Sequence, residues 1–189
     1  MANLKIHIYG DPVLREKCAP VEAWTDADKK LIEDMAETMY SAQGIGLAAP
    51  QVGVTRNILI IDVDWSREEK DGEKPKPNLR VFVNAELLSS SDDDVPFEEG
   101  CLSIPGVRGE VYRPSKVRVR ARDIHYEAFE IEADGLLARC FQHEFDHING
   151  VLFPDRMTFV KRALIAGQLN RLRKGLAAEE MAEAQESSM

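Results

Sequence analysis

The chain has 189 residues, a formal net charge of -9 at pH 7, 44% hydrophobic residues and 30% charged residues. This composition argues against fibrous or wholly disordered chains, and the length suits one domain with its own core. The negative charge argues against general affinity for free nucleic acid. The sequence has no apolar stretch of membrane-spanning length and no signal-peptide pattern at its N-terminus, so we expect a cytoplasmic protein with no membrane partner.

Three cysteines, Cys18, Cys101 and Cys140, lie far apart along the chain. They are too few and too scattered for the disulfide framework of a small secreted protein. In a reducing compartment they stay free and are available as metal ligands.

The N-terminal region predicts a short opening strand, a turn at Gly10–Pro12 and then one amphipathic helix. Thr25 suits the N-cap position, and acidic residues in the first turn complement the helix dipole. Apolar residues recur with helical period. We therefore expect a helix over residues 26–42 that packs on the core and ends at Gly44.

Residues 44–51, GIGLAAPQ, superficially match the dinucleotide-binding fingerprint. That fingerprint follows a strand and opens a helix, whereas here a helix precedes it and a strand is predicted after it. Nucleotide binding is therefore not expected. The paired glycines permit close approach of another backbone, and Gln51 could orient a substrate; a tight structural turn is the alternative.

Several segments rich in β-branched residues predict strands in the middle of the chain. These strands are 57–63, 79–84, 111–122 and 127–132. We expect the last two to form an antiparallel pair with one buried and one solvated face. The charged segment Asp64–Asn78 and the polar segment 89–94 are expected to be exposed connections.

Cys101 lies in the segment Glu99–Gly106, a strand or loop bounded by turn-forming residues. Taken alone, a cysteine in such a segment is more often packed in the core than bound to a metal. The residue by itself therefore does not decide the function.

The segment Gln142–His147, QHEFDH, carries the most informative chemical pattern in the chain. Residues four apart lie on one face of a helix, so His143 and His147 can bind one metal ion, while Glu144 reaches a water on that ion. Only four histidines occur in the chain, and two of them fall in this arrangement. The spacing favours metal-dependent hydrolysis over a chance match.

The sequence around this segment supports a helix. Asp134 suits its N-cap, and Asn149-Gly150 is typical of a helix end. Catalytic sites of this kind commonly use three protein ligands and leave one position for water. A third ligand is therefore expected from elsewhere in the chain.

A last helix is predicted to begin near Thr158 and to run past Leu176. Residues 156–178 contain six basic residues and no acidic one: Arg156, Lys161, Arg162, Arg171, Arg173 and Lys174. Such a helix suits a partner that carries phosphates, and a solvated helix face is the alternative. We expect one catalytic domain over residues 1–176 and an acidic, frayed tail over 177–189.

Taken together, the segments GIGLAAPQ, EGCLSIP and QHEFDHING, in this order, resemble the three signature segments of the peptide deformylase family. This family removes the formyl group from the N-terminal methionine of nascent bacterial proteins. The resemblance extends over roughly residues 4–175. It implies an α+β fold in which antiparallel β-sheets pack around a central metal-binding helix, with an N-terminal and a C-terminal helix.

The resemblance also implies which residues form the site. The metal ligands would be Cys101, His143 and His147, which supplies the third ligand. Glu144 would be the general acid/base that serves a metal-bound hydroxide. Gln51 and the backbone amide of Leu102 would hold the carbonyl oxygen under attack, and Gly46 would offer a backbone contact to the substrate.

By the same resemblance, four residues would line an apolar pocket for the methionine side chain: Ile45, Phe97, Leu136 and Cys140. Arg108 matches a position near the substrate strand. The sequence departs from the family pattern at Arg139, where an apolar residue is frequent, and in the long Asp64–Asn78 segment. Neither departure is expected to touch the metal ligands.

The family commonly uses Fe²⁺ in the cell, and Zn²⁺, Ni²⁺ or Co²⁺ can occupy its site. Its partners are N-formyl-methionyl peptides and nascent chains, and in relatives the C-terminal helix helps to dock the enzyme on the ribosome. The resemblance implies the same docking for the basic helix here, and a solvated helix face is the alternative.

Two other functions are compatible with parts of the pattern. A metallopeptidase shares the HExxH arrangement, but it usually takes a third His or Glu ligand downstream, and no histidine follows Gly150. A catalytically inactive relative that only binds formyl peptides is the second alternative. The retention of Glu144, Gln51 and all three ligand residues argues against it.

Overall fold

A computed structural model describes residues 3–65 and 77–186, with side chains as far as residue 176. Two antiparallel sheets form its β structure: a five-stranded sheet in the order β1-β2-β3-β6-β7 and a two-stranded sheet of β4 and β5. The strands are β1 Gly46–Ala48, β2 Ile58–Ile61, β3 Arg80–Ser90, β4 Val95–Cys101, β5 Ile104–Arg113, β6 Lys116–Arg122 and β7 Ala128–Asp134. The helices are α1 Asp26–Ser41, α2 Gly135–Ile148, α3 Phe153–Arg156 and α4 Phe159–Glu186.

Helix α2 lies at the centre of the fold and packs against β1, β2 and β7. Its side chains Ala138, Phe141 and Ile148 are buried in one apolar cluster with Phe82 and Val119 of the larger sheet. Burial of such aliphatic and aromatic side chains is the main source of stability in a domain of this size. The predicted α+β fold, with antiparallel sheets around a central helix, is confirmed.

Helix α1 follows the prediction to within one residue at its C-terminus. At its start, the Asp28 carboxylate accepts hydrogen bonds from the backbone N–H and the hydroxyl of Thr25, each 2.8 Å long. At its end, the backbone N–H of Gly44 donates to the carbonyl of Met39. Both ends therefore satisfy backbone groups that a helix would otherwise leave unpaired.

Three predictions about strands are wrong or incomplete. Residues 3–8 form a loop and not a strand. The loop is held against the core by hydrogen bonds, for example from the backbone N–H of His7 to the backbone carbonyl of Gln51. The strand predicted over 79–84 continues to Ser90, because it pairs with β6 over its whole second half. The strand predicted over 111–122 is two strands.

The break between these two strands falls at Pro114-Ser115. β5 pairs with β4 in the small sheet, whereas β6 pairs with β3 and β7 in the large one. A proline cannot donate a backbone hydrogen bond to a sheet, which makes this a favourable place for the chain to change sheets. The predicted antiparallel pairing of the following segment with residues 127–132 is confirmed by β6 and β7.

The predicted loop Asp64–Asn78 lies mostly outside the described residues, which resume at residue 77. Its two ends meet at the buried carboxylate of Asp62, which accepts hydrogen bonds from the backbone N–H groups of Trp65 and Asn78.

Helix α4 begins close to the predicted start, and Ile165 and Leu169 bury one of its faces against the strand β5 region. The expected boundary at residue 176 falls inside this helix, and the division into a domain and a tail stays a prediction. In the described part of the chain, none of the helices is long and apolar enough to cross a membrane.

Candidate metal centre and active-site cavity

A cavity of about 570 Å³ opens between β1, the β4–β5 hairpin and helix α2. Helix α2 contributes residues at helical spacing, which places one face of the helix along the cavity. All of the residues predicted for the site line this cavity except His147, which is buried behind it. Those lining residues are Ile45, Gly46, Gln51, Phe97, Cys101, Leu102, Arg108, Leu136, Cys140, His143 and Glu144.

Cys101, His143 and His147 converge at the inner end of the cavity. One potential ligand atom from each lies within 4.8 Å of the other two. Sγ of Cys101 is 3.2 Å from Nε2 of His147, and the centres of the two imidazole rings are 5.1 Å apart. Cys101 therefore lies beside both histidines, although it is far from them in the sequence.

The imidazole of His143 is oriented by a buried carboxylate. Nδ1 of His143 lies 2.9 Å from Oε2 of Glu99, so Nε2 is the nitrogen left for the cavity. Burial by itself would raise the pKa of Glu99, but hydrogen bonds from His143 and Arg113 and the charge of Arg113 hold this pKa at about 2. Glu99 is therefore ionised at neutral pH.

Glu99 belongs to a network of buried charges behind the candidate ligands. Arg113 donates to both carboxylate oxygens of Glu99, at 2.7 and 3.0 Å, and to Asp146 at 2.7 Å. Arg156 donates to the same Asp146 carboxylate. Because each buried charge is paired, the network holds its members in fixed positions.

Glu99, Arg113 and Asp146 were not predicted as site residues from the sequence. Glu99 lies in the segment EGCLSIP and Asp146 in QHEFDHING, so their positions in these signature segments could have indicated a place near the site. Arg113 gave no such signal, because it precedes a run of exposed basic residues.

The carboxylate of Glu144 lies in the cavity close to strand β1. The residue is 4% exposed, and its Oε2 has no hydrogen-bond partner within the described part of the chain. Burial raises the pKa of Glu144 to about 7, although the charge of His143 opposes the shift. A carboxyl group with such a pKa can both accept and release a proton near neutral pH.

Gln51 is fixed by hydrogen bonds at both ends of its amide. Its Oε1 accepts from the backbone N–H of Ala48 at 2.8 Å. Its Nε2 points towards the candidate ligands, 3.5 Å from Sγ of Cys101 and 3.2 Å from Oγ of Ser103. The amide therefore presents a donor at the inner end of the cavity.

The outer part of the cavity is mainly apolar. Ile45, Leu136 and Cys140 line it, together with the half-exposed ring of Phe97. Arg108 lies at the rim, 70% exposed, with a guanidinium nitrogen 3.7 Å from Glu98. Arg139 also lines the cavity; it does not touch the candidate ligands, but it donates to Glu99.

Comparison with known proteins agrees with this geometry. A family model described as polypeptide deformylase matches residues 3–163. The chain belongs to this family.

The similarity of this deformylase-family chain to its relatives covers nearly their full length. The chain is 44% identical to peptide deformylase of Salinibacter ruber over 174 residues, which is 91% of this chain and 89% of the relative. A crystal structure of a plant peptide deformylase PDF1B matches with a TM-score of 0.85 and 41% identity, over 93% of this chain and 92% of that one. A peptide deformylase from Legionella pneumophila matches with a TM-score of 0.80 and 41% identity, over 93% and 98%.

The residues of this deformylase-family centre suit a divalent transition metal. A thiolate and two imidazoles form a common three-ligand set for such ions, with one position left for water. Glu144 lines the same cavity, and its buried Oε2 has no hydrogen-bond partner among the described residues. The Nε2 donor of Gln51 lies 3.5 Å from Sγ of Cys101. The chain thus has a group of side chains that could bind a metal, as expected of a metal-dependent deformylase.

Proposed function

We propose that the protein hydrolyses the formyl group from the N-terminal formyl-methionine of newly synthesised proteins in the cytoplasm. The observation that carries this proposal is the convergence of Cys101, His143 and His147 at the inner end of a cavity that the buried Glu144 also lines. Membership in the deformylase family supports the same substrate class.

We assign the metal to the Sγ of Cys101 and the imidazoles of His143 and His147. When bound, such an ion lowers the pKa of a water molecule and polarises the carbonyl under attack. The hydrogen bond from His143 to Glu99 supports the assignment, because it leaves Nε2 as the ligand atom.

Glu144 moves the protons of the reaction in this proposal. Its carboxylate takes a proton from the attacking water and passes it to the nitrogen of the leaving amine. A pKa of about 7 suits both steps, since the same group must be deprotonated first and protonated afterwards.

Gln51 and Leu102 stabilise the oxygen of the formyl group as it gains negative charge. The side-chain N–H₂ of Gln51 is held in place by its bond to Ala48, so it needs no reorganisation during the reaction. The backbone N–H of Leu102, which follows Cys101 directly, is the second donor in this assignment.

The substrate lies along β1 in our proposal, with a backbone contact at Gly46. Its methionine side chain occupies the apolar part of the cavity, and Arg108 at the rim contacts the residues that follow. The residues that line this apolar part are Ile45, Phe97, Leu136 and Cys140.

We propose Fe²⁺ as the metal in the cell, with Zn²⁺, Ni²⁺ or Co²⁺ able to replace it. Imidazole and thiolate ligands suit all of these ions in different degrees, so the ligand set alone does not choose among them. Metal analysis of protein purified without oxygen tests this point. A centre with Fe²⁺ and a thiolate should also lose activity in air.

A direct assay separates this function from its alternatives. The metal-loaded protein is incubated with a formyl-Met-Ala-Ser peptide and with an unformylated peptide that offers internal bonds. Release of formate from the first, with no cleavage of the second, supports the deformylase. Cleavage of internal bonds would support a metallopeptidase, and binding of the formyl peptide without turnover would support an inactive relative.

The basic part of α4 is proposed to dock on the ribosome. Arg171, Arg173 and Lys174 are exposed, so their charges are available to phosphates. Replacing all three by Glu should weaken ribosome binding in a sedimentation assay and leave hydrolysis of a free formyl peptide unchanged. The matched control carries Glu at the exposed β6 positions 116, 118 and 120 and should bind as the wild type does. Equal binding of both variants would contradict docking through α4.

Residues 1–176 are proposed to carry the catalytic activity, and 177–189 to form a tail that catalysis does not need. A chain truncated after Leu176 should therefore retain its turnover of formyl peptides.

A further inference from the structure

A buried arginine, Arg139, lines the cavity together with the four residues assigned to the methionine side chain, Ile45, Phe97, Leu136 and Cys140. Arg139 is 8% exposed and follows Leu136 by one helical turn on α2, directly before Cys140. Apolar residues would pack at this position without the cost of burying a charge. The buried charge of Arg139 must therefore be offset by partners or retained for a function.

The guanidinium is fixed by the two strands opposite α2. Its Nη2 donates to the carbonyl of Val95 at 2.6 Å, and its Nη1 donates to the carbonyl of Val111 at 3.2 Å and to Glu99 at 3.3 Å. Glu99 also accepts two hydrogen bonds from Arg113 and one from His143. One carboxylate thus serves several donors, so the positive charge of Arg139 is only partly balanced.

The ring of Phe97 lies beside this charge at the edge of the pocket. The guanidinium carbon of Arg139 is 5.6 Å from the centre of the ring, within the range of a cation–π contact. Phe97 is 50% exposed, so the ring is still accessible from the cavity. Together, the cation and the ring form one polarisable wall.

We propose that Arg139 and Phe97 make this pocket select the thioether of methionine over a hydrocarbon side chain of the same shape. A thioether sulfur is polarisable, accepts weak hydrogen bonds and makes favourable contacts with aromatic rings. The methylene group that replaces this sulfur in norleucine accepts no hydrogen bond and is less polarisable, so its contacts with the guanidinium and the ring are weaker. The inference rests on the proposed deformylase function and names the residues that set its side-chain preference.

A purely structural role for Arg139 predicts a different result. If the guanidinium only tied α2 to β4 and β5, its removal would weaken turnover of every substrate by the same factor. The ratio of kcat/KM for two substrates cancels such a common loss. This ratio therefore distinguishes a role of Arg139 in substrate selection from a purely structural role.

The test uses the metal-loaded enzyme and two peptides that differ only in formyl-methionine or formyl-norleucine at the N-terminus. We expect the wild type to prefer methionine by about fivefold in kcat/KM, as a sulfur–aromatic contact of ordinary strength gives. Arg139→Leu and Phe97→Leu should each lower this ratio towards one. The matched control Arg118→Leu, on the exposed face of β6, should keep the wild-type ratio and turnover.

Equal rates for the two peptides in the wild type would overturn the inference, as would an unchanged ratio in both pocket variants. A ratio that falls only in Phe97→Leu would remove Arg139 from the selection. Phe97 is half-exposed and not part of the core, so Phe97→Leu is expected to fold. If Arg139→Leu does not fold, Arg139→Gln, which keeps an N–H donor but no charge, takes its place in the comparison. Failure of the wild type to release formate from either peptide would contradict the proposed function instead.

Discussion

Nδ1 of His143 lies 2.9 Å from a carboxylate oxygen of Glu99, in a hydrogen bond that is buried. Glu99 is in turn held by Arg113, which also reaches Asp146 on the next turn of α2. An ion bound beyond Nε2 would therefore lie opposite a fixed negative charge, which makes the imidazole a better ligand.

This relationship predicts the effect of Glu99→Gln on metal binding. The amide keeps an acceptor for His143 but removes the charge, so we expect the affinity for Zn²⁺ to fall about 10-fold to 100-fold. Competition with a chromophoric chelator measures this change. The matched control Glu98→Gln alters the neighbouring exposed carboxylate at the rim and should bind Zn²⁺ as tightly as the wild type. Equal affinities in the two variants would contradict the role of Glu99.

A second prediction separates metal binding from proton transfer. Glu144→Gln removes the carboxylate that is proposed to accept the proton but none of the three candidate ligands. We expect the variant to retain the wild-type metal content and to lose turnover by about 100-fold to 10,000-fold. Metal analysis and formate release, measured on the same sample, check both halves. A variant that turned over at a tenth of the wild-type rate or faster would exclude Glu144 as the general base.

The central helix could be predicted from the sequence because its evidence is local. His143, Glu144 and His147 are close in the chain, and helical spacing alone places them at one side of α2. Cys101 is different, because its place beside the histidines depends on how the β4–β5 hairpin packs. Residue type alone favoured a core position for it, and only the resemblance to a family predicted it as a ligand.

The charge network shows a second limit of sequence reasoning. Arg113 stands at the end of β5, and the alternation of basic and apolar residues continues from there into β6 across Pro114-Ser115. The pattern predicts one strand with a solvent-exposed face. Arg113, however, is buried and forms salt bridges with Glu99 and Asp146. Only the change of sheet, which is a tertiary feature, separates the buried arginine from the exposed ones.

A third prediction concerns stability in acid. Burial by itself would raise the pKa of Asp28, but hydrogen bonds from Thr25 and the charge of Arg56 outweigh it and lower this pKa below its ordinary value of 3.8. Because the folded pKa is depressed, the stabilisation is complete above pH 3.8 and is lost as the pH falls further. Asp28→Asn should therefore cost about 1 kcal/mol at pH 7 and progressively less in acid.

Urea unfolding of the wild type and of Asp28→Asn at several pH values between 7 and 3 measures their free energies of unfolding. The difference between the two should become smaller as the pH falls. The control is Asp26→Asn, which alters a carboxylate in the same helical turn that is 96% exposed. We expect it to change the free energy of unfolding by less than about 0.5 kcal/mol throughout. If the free energies of unfolding of the wild type and of Asp28→Asn differed by the same amount at every pH, the charge of Asp28 would not stabilise the helix.

A fourth prediction tests the close approach of β1 to the carboxylate of Glu144, the proposed general acid/base. A Cβ atom added at Gly46 would lie 2.5 Å from Oε1 of Glu144 and 2.6 Å from Sγ of Cys140. Both distances are too short for non-bonded atoms, so Gly46→Ala must displace the carboxylate, the strand or both. Since a displacement of about 1 Å can cost 100-fold in rate, we expect kcat/KM to fall by about that factor while the metal content stays unchanged.

The matched control is Gly167→Ala on α4, where an added Cβ would meet no atom within 4 Å. Alanine favours the helix over glycine by about 1 kcal/mol, so this variant should be more stable and equally active. The two substitutions add the same methyl group, and only the one at Gly46 should affect catalysis. Turnover of Gly46→Ala within about threefold of the wild type would mean that the carboxylate of Glu144 is free to move, against the preorganised position assigned to it.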